Sequence, residues 1–303
     1  MSQLMFKIPK KEYMGKGSVA CPGCGATLSM RFALKALGEK TMIVIPACCW
    51  SIIDGPTPSS INHVPVFHTA FETAASVAAG IKAGLRSQGK SDINVVAWAG
   101  DGGTFDIGFQ ALSGAAERNE DIIYISYDNE AYMNTGVQRS SATPFGAWTT
   151  TTPSKKPKER PKKNIIDALA AHHIPYIATA SVAYPDDFIR KIEKARDMRG
   201  MRFIHILSPC PPGWRTPPEL SINLSRLAVE SKVFPLYEIE DGWKYRITHP
   251  SSGIPVEKYL KPQGRFAHLK PEDIERIQKE VNRNYLFLEK KVEMAQAMVE
   301  AEA

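Results

Sequence analysis

The chain reads as an α/β protein, a doubly wound parallel sheet with a C-terminal extension, and three observations predict it. Five short apolar runs rich in β-branched and aromatic residues have the length of buried parallel strands. Helical stretches lie between them, so successive strands form βαβ units. The chemically unusual residues fall just after the strands, where open parallel sheets bind ligands.

Taken in order, the strands are expected at 42–46 (MIVIP), 94–99 (NVVAWA), 122–127 (IIYISY), 175–179 (PYIAT) and 202–207 (RFIHIL). Helices are expected at 26–37, 71–85, 107–118, 165–172 and 186–196. The first carries apolar residues at helical spacing; the second is rich in alanine and glycine, which allow close packing on a sheet. From Pro209 onward the pattern weakens, and PCPPGW and TPP are turn signals. A small hairpin is expected within 233–246, and a long charged amphipathic helix over 271–301. Residues 1–209 therefore read as the principal domain, and 210–303 as an arm that wraps the core or a partner.

The 303 residues are 43% hydrophobic and 23% charged, enough for a sizeable globular core. The net charge of +6 is concentrated partly in one run from Lys155 to Lys163. That run reads as a solvated loop, with a docking patch for an acidic partner as the alternative. No recognition helix, zinc-finger spacing or RNA-binding aromatic motif is present, so nucleic acid is not an expected partner. No apolar run reaches the roughly 18 residues of a membrane span, and the opening segment lacks the apolar stretch of a leader. A cytoplasmic location is expected, and there five cysteines point to metal or redox chemistry before disulfides.

Four of the five strands deliver such residues to one edge. Cys48 and Cys49 follow the first, Gly100-Asp101-Gly102 the second, Asp128-Asn129 the third and Cys210 the last. Asn129 lies 28 residues after Asp101, a separation that holds one helix and one strand, so the two side chains belong at neighbouring strand ends. A carboxylate and an amide oxygen suit Mg²⁺. Gly100, Gly102 and Gly103 let backbone N–H groups approach a phosphate, which the N-terminus of the next helix also attracts. Cys21-Pro-Gly-Cys24 is a C-x-x-C pair that makes four thiolates with Cys49 and Cys210, a set suited to a [4Fe–4S] cluster or to zinc. A thioredoxin-like pair would need a strand before Cys21, and none is evident. Cys48 and Cys49, adjacent at a strand end, point in different directions, so one of them ligates.

The Gly-Asp-Gly to Asn pattern resembles the metal-binding motif of thiamine-diphosphate enzymes. That resemblance implies Asp101, Asn129 and the carbonyl of Ala131 as metal ligands. Together, CPGCGATL (21–28), FETAASVAAGIKAG (71–84), GDGGTFDIGFQALSGAAERNEDI (100–122), YDNEAYMNTGVQRSSATP (127–144) and SPCPPGW (208–214) resemble the β subunit of pyruvate:ferredoxin oxidoreductase and its 2-oxoacid relatives. The resemblance implies the thiamine-diphosphate-binding fold and, with a thiamine site adjacent, favours the cluster over zinc. In that family the third cluster ligand follows the C-x-x-C pair by 25 residues, which selects Cys49, and Cys210 stands as the fourth. Asn134 is then the residue near the reactive thiazolium carbon, with Thr135 beside it on the cofactor. Two departures bear on the substrate: Ala26 stands where many pyruvate-type members have glutamate, and Cys48 replaces a commoner glycine.

What the family implies is oxidative decarboxylation of a 2-oxoacid, with pyruvate first and oxalate, branched-chain or aryl acids as alternatives. Coenzyme A would take the acyl group and ferredoxin the electrons. An α subunit would supply the pyrimidine half of the thiamine site and its ring glutamate, beside γ- and δ-type subunits, the latter ferredoxin-like. Within this chain Glu72 reads as structural and Glu130 as local to the metal loop; His68 and Arg139 are possible polar contacts that are more often structural. A non-oxidative thiamine lyase and a zinc-stapled binding module are the rivals.

Overall fold

The computed structural model describes residues 7–55, 60–61 and 63–302. Residues 1–6, part of the opening segment read for a leader, and Ala303 of the extension lie outside the described residues.

The chain runs α1 (Gly25–Leu37), β1 (Thr41–Pro46), α2 (Trp50–Ile53), β2 (Val66–Thr69), α3 (Ala74–Ser87) and β3 (Asn94–Gly100). A π-helical turn (Gly102–Asp106) then leads into α4 (Phe109–Glu117), β4 (Ile123–Asp128), α5 (Ile165–Ala170), β5 (Tyr176–Ser181), α6 (Pro185–Asp197) and β6 (Arg202–Leu207). Beyond these come α7 (Pro211–Trp214), α8 (Ser221–Glu230), β7 (Leu236–Glu240), β8 (Lys244–His249), α9 (Glu257–Leu260) and α10 (Pro271–Glu302).

All eight strands join one sheet in the order β2-β1-β3-β4-β6-β5-β7-β8. The first six are parallel, and the β7–β8 hairpin adds antiparallel to β5. The central strands are buried on both faces, as continuous apolar runs require. Alternate residues feed opposite layers. Ile43, Val96, Trp98, Ile123, Ile125 and Ile204 pack on one side with α1 and α6. Val44, Val95, Ala97, Tyr124 and Phe203 pack on the other with α3, α4 and α5. The Ala74, Ala75 and Ala78 stripe of α3 brings that helix close to the sheet, as its composition predicts. A third core gathers Trp214, Leu224, Phe234, Tyr259 and Phe266.

Several elements differ from expectation, among them α8 and the short α2, α7 and α9, none of which was anticipated. β2 was not anticipated: it is four residues long, lies at the sheet edge and has half-exposed side chains, so it carries no burial signal. The stretch expected to be helical from residue 107 instead follows the π-helical turn, and α4 begins at Phe109. A π-turn widens the backbone ring and recurs at functional sites.

Candidate active site

Connections from β1 and β3 lead to opposite sides of the sheet, and the crevice between their carboxyl ends is the switch point where such sheets bind ligands. β3 ends at Gly100, paired in register with Tyr127 of β4, so Asp101 and Asp128 emerge side by side. Asp101, Asn129 and Ala131 are all buried. The Asn129 amide oxygen stands 3.0 Å from Asp101 Oδ1 and 2.9 Å from the Ala131 carbonyl oxygen. In this orientation three oxygens face one another. Turning the amide over would let its NH₂ donate to both neighbours; a cation among the oxygens would satisfy the orientation as it stands. Octahedral Mg²⁺ with arms of about 2.1 Å spaces adjacent ligands by about 3.0 Å, so this donor set fits that ion. Burial, then the charge of Asp128, pushes the Asp101 carboxyl well above the usual range, against a 2.5 Å hydrogen bond from Ser140 Oγ. A buried acid so disfavoured as an anion has an evident use for a divalent counter-charge.

Gly102 and Gly103 open the π-turn. A Cβ at Gly102 would lie 2.4 Å from the Tyr132 ring, and one at Gly103 3.3 Å from Phe71. Gly102 is thus required by the Tyr132 ring and Gly103 lies tight against Phe71, before any phosphate is considered; the two rings meet edge to face at 5.8 Å. Tyr132 opens a tight antiparallel turn, 132–138, closed by its backbone bonds to Gln138. Asp106 ties this hairpin to the π-turn: it accepts from the Tyr132 hydroxyl at 2.9 Å, the Ser141 N–H at 3.0 Å and the Ser141 hydroxyl. Asn134 and Thr135 stand exposed at the hairpin tip, the Thr135 hydroxyl donating to Gln138 Oε1.

Behind the oxygens lies a buried charge network that sequence reasoning missed. Asp128 accepts from Lys162 at 2.5 Å and bonds His205 at 2.7 Å. Burial raises its carboxyl, but Lys162 and His205 outweigh that and hold it down to about 2. Glu130, in the left-handed region at φ +69°, pairs with Lys162 at 2.9 Å and Arg265 at 2.6 Å. The Arg265 guanidinium lies 4.1 Å over the Trp214 ring, and the Trp214 indole N–H donates to the Asn129 carbonyl. The basic run is accordingly not a solvated loop throughout. Lys155 and Lys156 are exposed, whereas Lys158 is buried on backbone carbonyls, Lys162 serves two carboxylates and Lys163 donates to the Phe105 carbonyl. Their partners lie on other elements, so local composition gave no sign. Nothing local marked Arg265 or His205 either.

The cysteines are free thiols. The C-x-x-C turn docks on the segment that carries Cys210: the Gly25 N–H donates to the Pro209 carbonyl at 2.9 Å, and Ser221 Oγ donates to the Gly23 carbonyl at 2.7 Å. A Cβ at Gly23 or Gly25 would strike Pro218 or Pro209 within 2.7 Å. Burial first, then the charges of Cys48, Cys210 and Cys24, pushes the Cys49 thiol up to about 12; burial, with Cys24 and Cys21, does the same to Cys210. Cys49 thus lies near Cys48, Cys210 and Cys24, and Cys210 near Cys24 and Cys21, while the half-buried Cys48 thiol also bonds the Tyr127 hydroxyl. Among the described residues no three His, Cys, Asp or Glu side chains group so as to hold a metal ion. The oxygen set around Asp101 has one carboxylate and stands apart from that count.

Glu72 is exposed just ahead of α3 rather than on it. His68 lies 3.4 Å from Asp54, and Arg139 is exposed. No described helix is long and apolar enough to cross a membrane.

Residues 51–206 match the family model of the thiamine pyrophosphate enzyme, C-terminal TPP binding domain. Ketoisovalerate oxidoreductase subunit VorB of Pyrococcus furiosus is 53% identical over 95% of this chain and 96% of its own. Pyruvate synthase subunit PorB of Methanothermobacter marburgensis is 51% identical over 91% of this chain and 97% of its own. In structure, 2-oxoglutarate:ferredoxin oxidoreductase from Magnetococcus marinus superposes with a TM-score of 0.57 at 22% identity, covering 73% of this chain and 84% of that one, which shows the shared fold. Sequence motif, fold and relatives agree, and the chain belongs to the 2-oxoacid:ferredoxin oxidoreductase family as a subunit carrying its thiamine-diphosphate-binding domain.

Proposed function

We propose that this chain is the β subunit of a 2-oxoacid:ferredoxin oxidoreductase, holding the diphosphate half of a thiamine site, its Mg²⁺ and one [4Fe–4S] cluster. The observation that carries the reading is the meeting of the Asn129 side chain with Asp101 and the Ala131 carbonyl, within 3.0 Å, at the sheet edge that also carries Gly100, Gly102 and Gly103; the docking of the C-x-x-C turn on the segment of Cys210 supports the cluster. Asp101, Asn129 and the Ala131 carbonyl would hold the metal. Gly100, Gly102 and Gly103 would present backbone to the diphosphate. Asn134 and Thr135, exposed at the hairpin tip, would face the reacting substrate and the cofactor. Bound thiamine diphosphate supplies the electron sink for decarboxylation. This chain's part is to orient it, to exclude water and to neutralise charge with a preorganised network. Cys21, Cys24, Cys49 and Cys210 would bind the cluster. A four-iron cluster spreads its thiolates farther apart than one ion does, consistent with thiols that are neighbours without closing on a single centre. A companion α subunit would complete the pyrimidine side, γ- and δ-type subunits would carry electrons onward to ferredoxin, and coenzyme A would accept the acyl group.

Pyruvate is the first expected substrate. The resemblance to ketoisovalerate oxidoreductase subunits supports a branched-chain acid as the alternative. The test is anaerobic purification with the companion subunits, metal and thiamine analysis, then ferredoxin or viologen reduction by a panel of 2-oxoacids with and without coenzyme A. Coenzyme A-dependent reduction by one acid supports the reading and names the substrate. No reduction by any acid, in a preparation holding thiamine diphosphate and iron, would replace it with a non-oxidative thiamine enzyme. Zinc without thiamine would replace it with a stapled binding module.

A further inference from the structure

The hairpin 132–138 touches both halves of the site through adjacent side chains. Tyr132 covers Gly102 on the thiamine side. Met133 turns the other way, onto Gly213 in the turn that follows Cys210. The position a Cβ would take at Gly213 lies 2.2 Å from Met133 Sδ, 2.4 Å from its terminal methyl and 3.4 Å from Cys210 Sγ. The thioether and the thiol therefore flank the same point, and glycine at 213 is what lets them approach it. Met133 and Cys210 both pack against the core that contains Trp214.

We propose that Met133 is a positioning residue for electron transfer, an apolar wall that seals the Cys210 corner of the cluster from the solvent reached by the exposed hairpin tip. The inference rests on the cluster proposed above. A thioether is polarizable and fills irregular gaps without adding charge or a strong donor. Water excluded from a cysteine-ligated cluster matters because reduction adds a negative charge, and solvent exposure tunes the potential. Methionine at 133 keeps the reduced form disfavoured, so an electron arriving at the cluster passes onward to ferredoxin. Each of the two electrons lost as the 2-oxoacid is oxidised would pass singly through the cluster to ferredoxin, and Met133 would hold neither electron nor proton.

The test uses the intact anaerobic complex with Met133→Ala, Met133→Leu and Gly213→Ala. The readouts are iron and sulfide content and a redox titration of the electron-spin resonance signal that Cys210→Ser removes. Opening the wall with Met133→Ala should raise the reduced-to-oxidised ratio at fixed potential about tenfold, about 59 mV for one electron. Met133→Leu should restore the wild-type titration. Gly213→Ala, whose methyl displaces Met133 from Cys210, should shift the same way as Met133→Ala. A wild-type titration in a fully loaded Met133→Ala complex would overturn the proposal; should that variant not assemble, an unshifted Gly213→Ala would do so. A wild-type complex without iron would instead refute the cluster reading on which this rests.

Discussion

Replacing Arg265 by methionine removes a charge from behind the loop that carries Asn129 while keeping much of the volume. Both partners of the Arg265–Glu130 pair are buried, with side chains 2% and 4% exposed, and the pair is 2.6 Å long. Breaking a buried pair by losing one member costs about 3–5 kcal/mol, because the other charge stays buried. Here Lys162 remains on Glu130, but it is shared with Asp128, so the lower end, about 3 kcal/mol, is expected. At roughly 2 °C per kcal/mol for a chain of this size, the midpoint of thermal unfolding should fall by about 6 °C. The double variant Glu130→Gln/Arg265→Met leaves no uncompensated charge and should recover most of that loss. The assay is thermal unfolding of the purified complex for wild type, both single variants and the double. A single-variant shift below about 1 °C, or a double variant less stable than Arg265→Met alone, would refute the view that this pair braces the loop.

Other expectations follow from the same geometry. Asn129→Ala deletes one of the three facing oxygens and should weaken Mg²⁺-dependent thiamine diphosphate binding on the order of 100-fold, read by tryptophan fluorescence because Trp214 bonds the Asn129 carbonyl; unchanged affinity would remove Asn129 from the site. Burial, aided by Arg139 and Lys162, lowers buried Lys158 from 10.5 to about 8. Between those values the unfolded chain binds more protons than the folded one, so this group's contribution to stability rises with pH across the window; Lys158→Met should flatten that rise in urea midpoints taken at about pH 7.5 and about pH 10, and an unaltered slope would count against it. Lys155 and Lys156 are the exposed lysines of the basic run. Reversing both charges should slow ferredoxin reduction by roughly 2–10-fold at low salt and have little effect at high salt; equal rates at every ionic strength would exclude this loop from docking.

The central sheet was legible because each of its core strands is an unbroken apolar run buried on both faces, which leaves periodicity little room for error. β2 lacked that signature: VFHT exposes half its side chains at an edge. Asp101 and Asn129 were legible for a different reason. Their separation in sequence maps directly onto neighbouring strand ends, and the structure places their oxygens within 3.0 Å. What surrounds them was not legible. Lys162, His205, Trp214 and Arg265 reach the loop from separate elements, and their charges or indole are matched to partners only by folding. A run of lysines looks solvated until the carbonyls that accept Lys158 and Lys163 are seen.

The span between Glu130 and Arg265 also sets a timetable for biosynthesis. The carboxylate is made 135 residues before its guanidinium partner, roughly 7–27 s at the usual pace of about 5–20 residues per second. β5 likewise emerges before β6, the strand that must separate it from β4. A nascent chain can therefore form the Asp101 turn early but cannot lock the loop that carries Asn129 until its last quarter has left the ribosome. A message cut short before residue 265 therefore yields a product that cannot brace the loop.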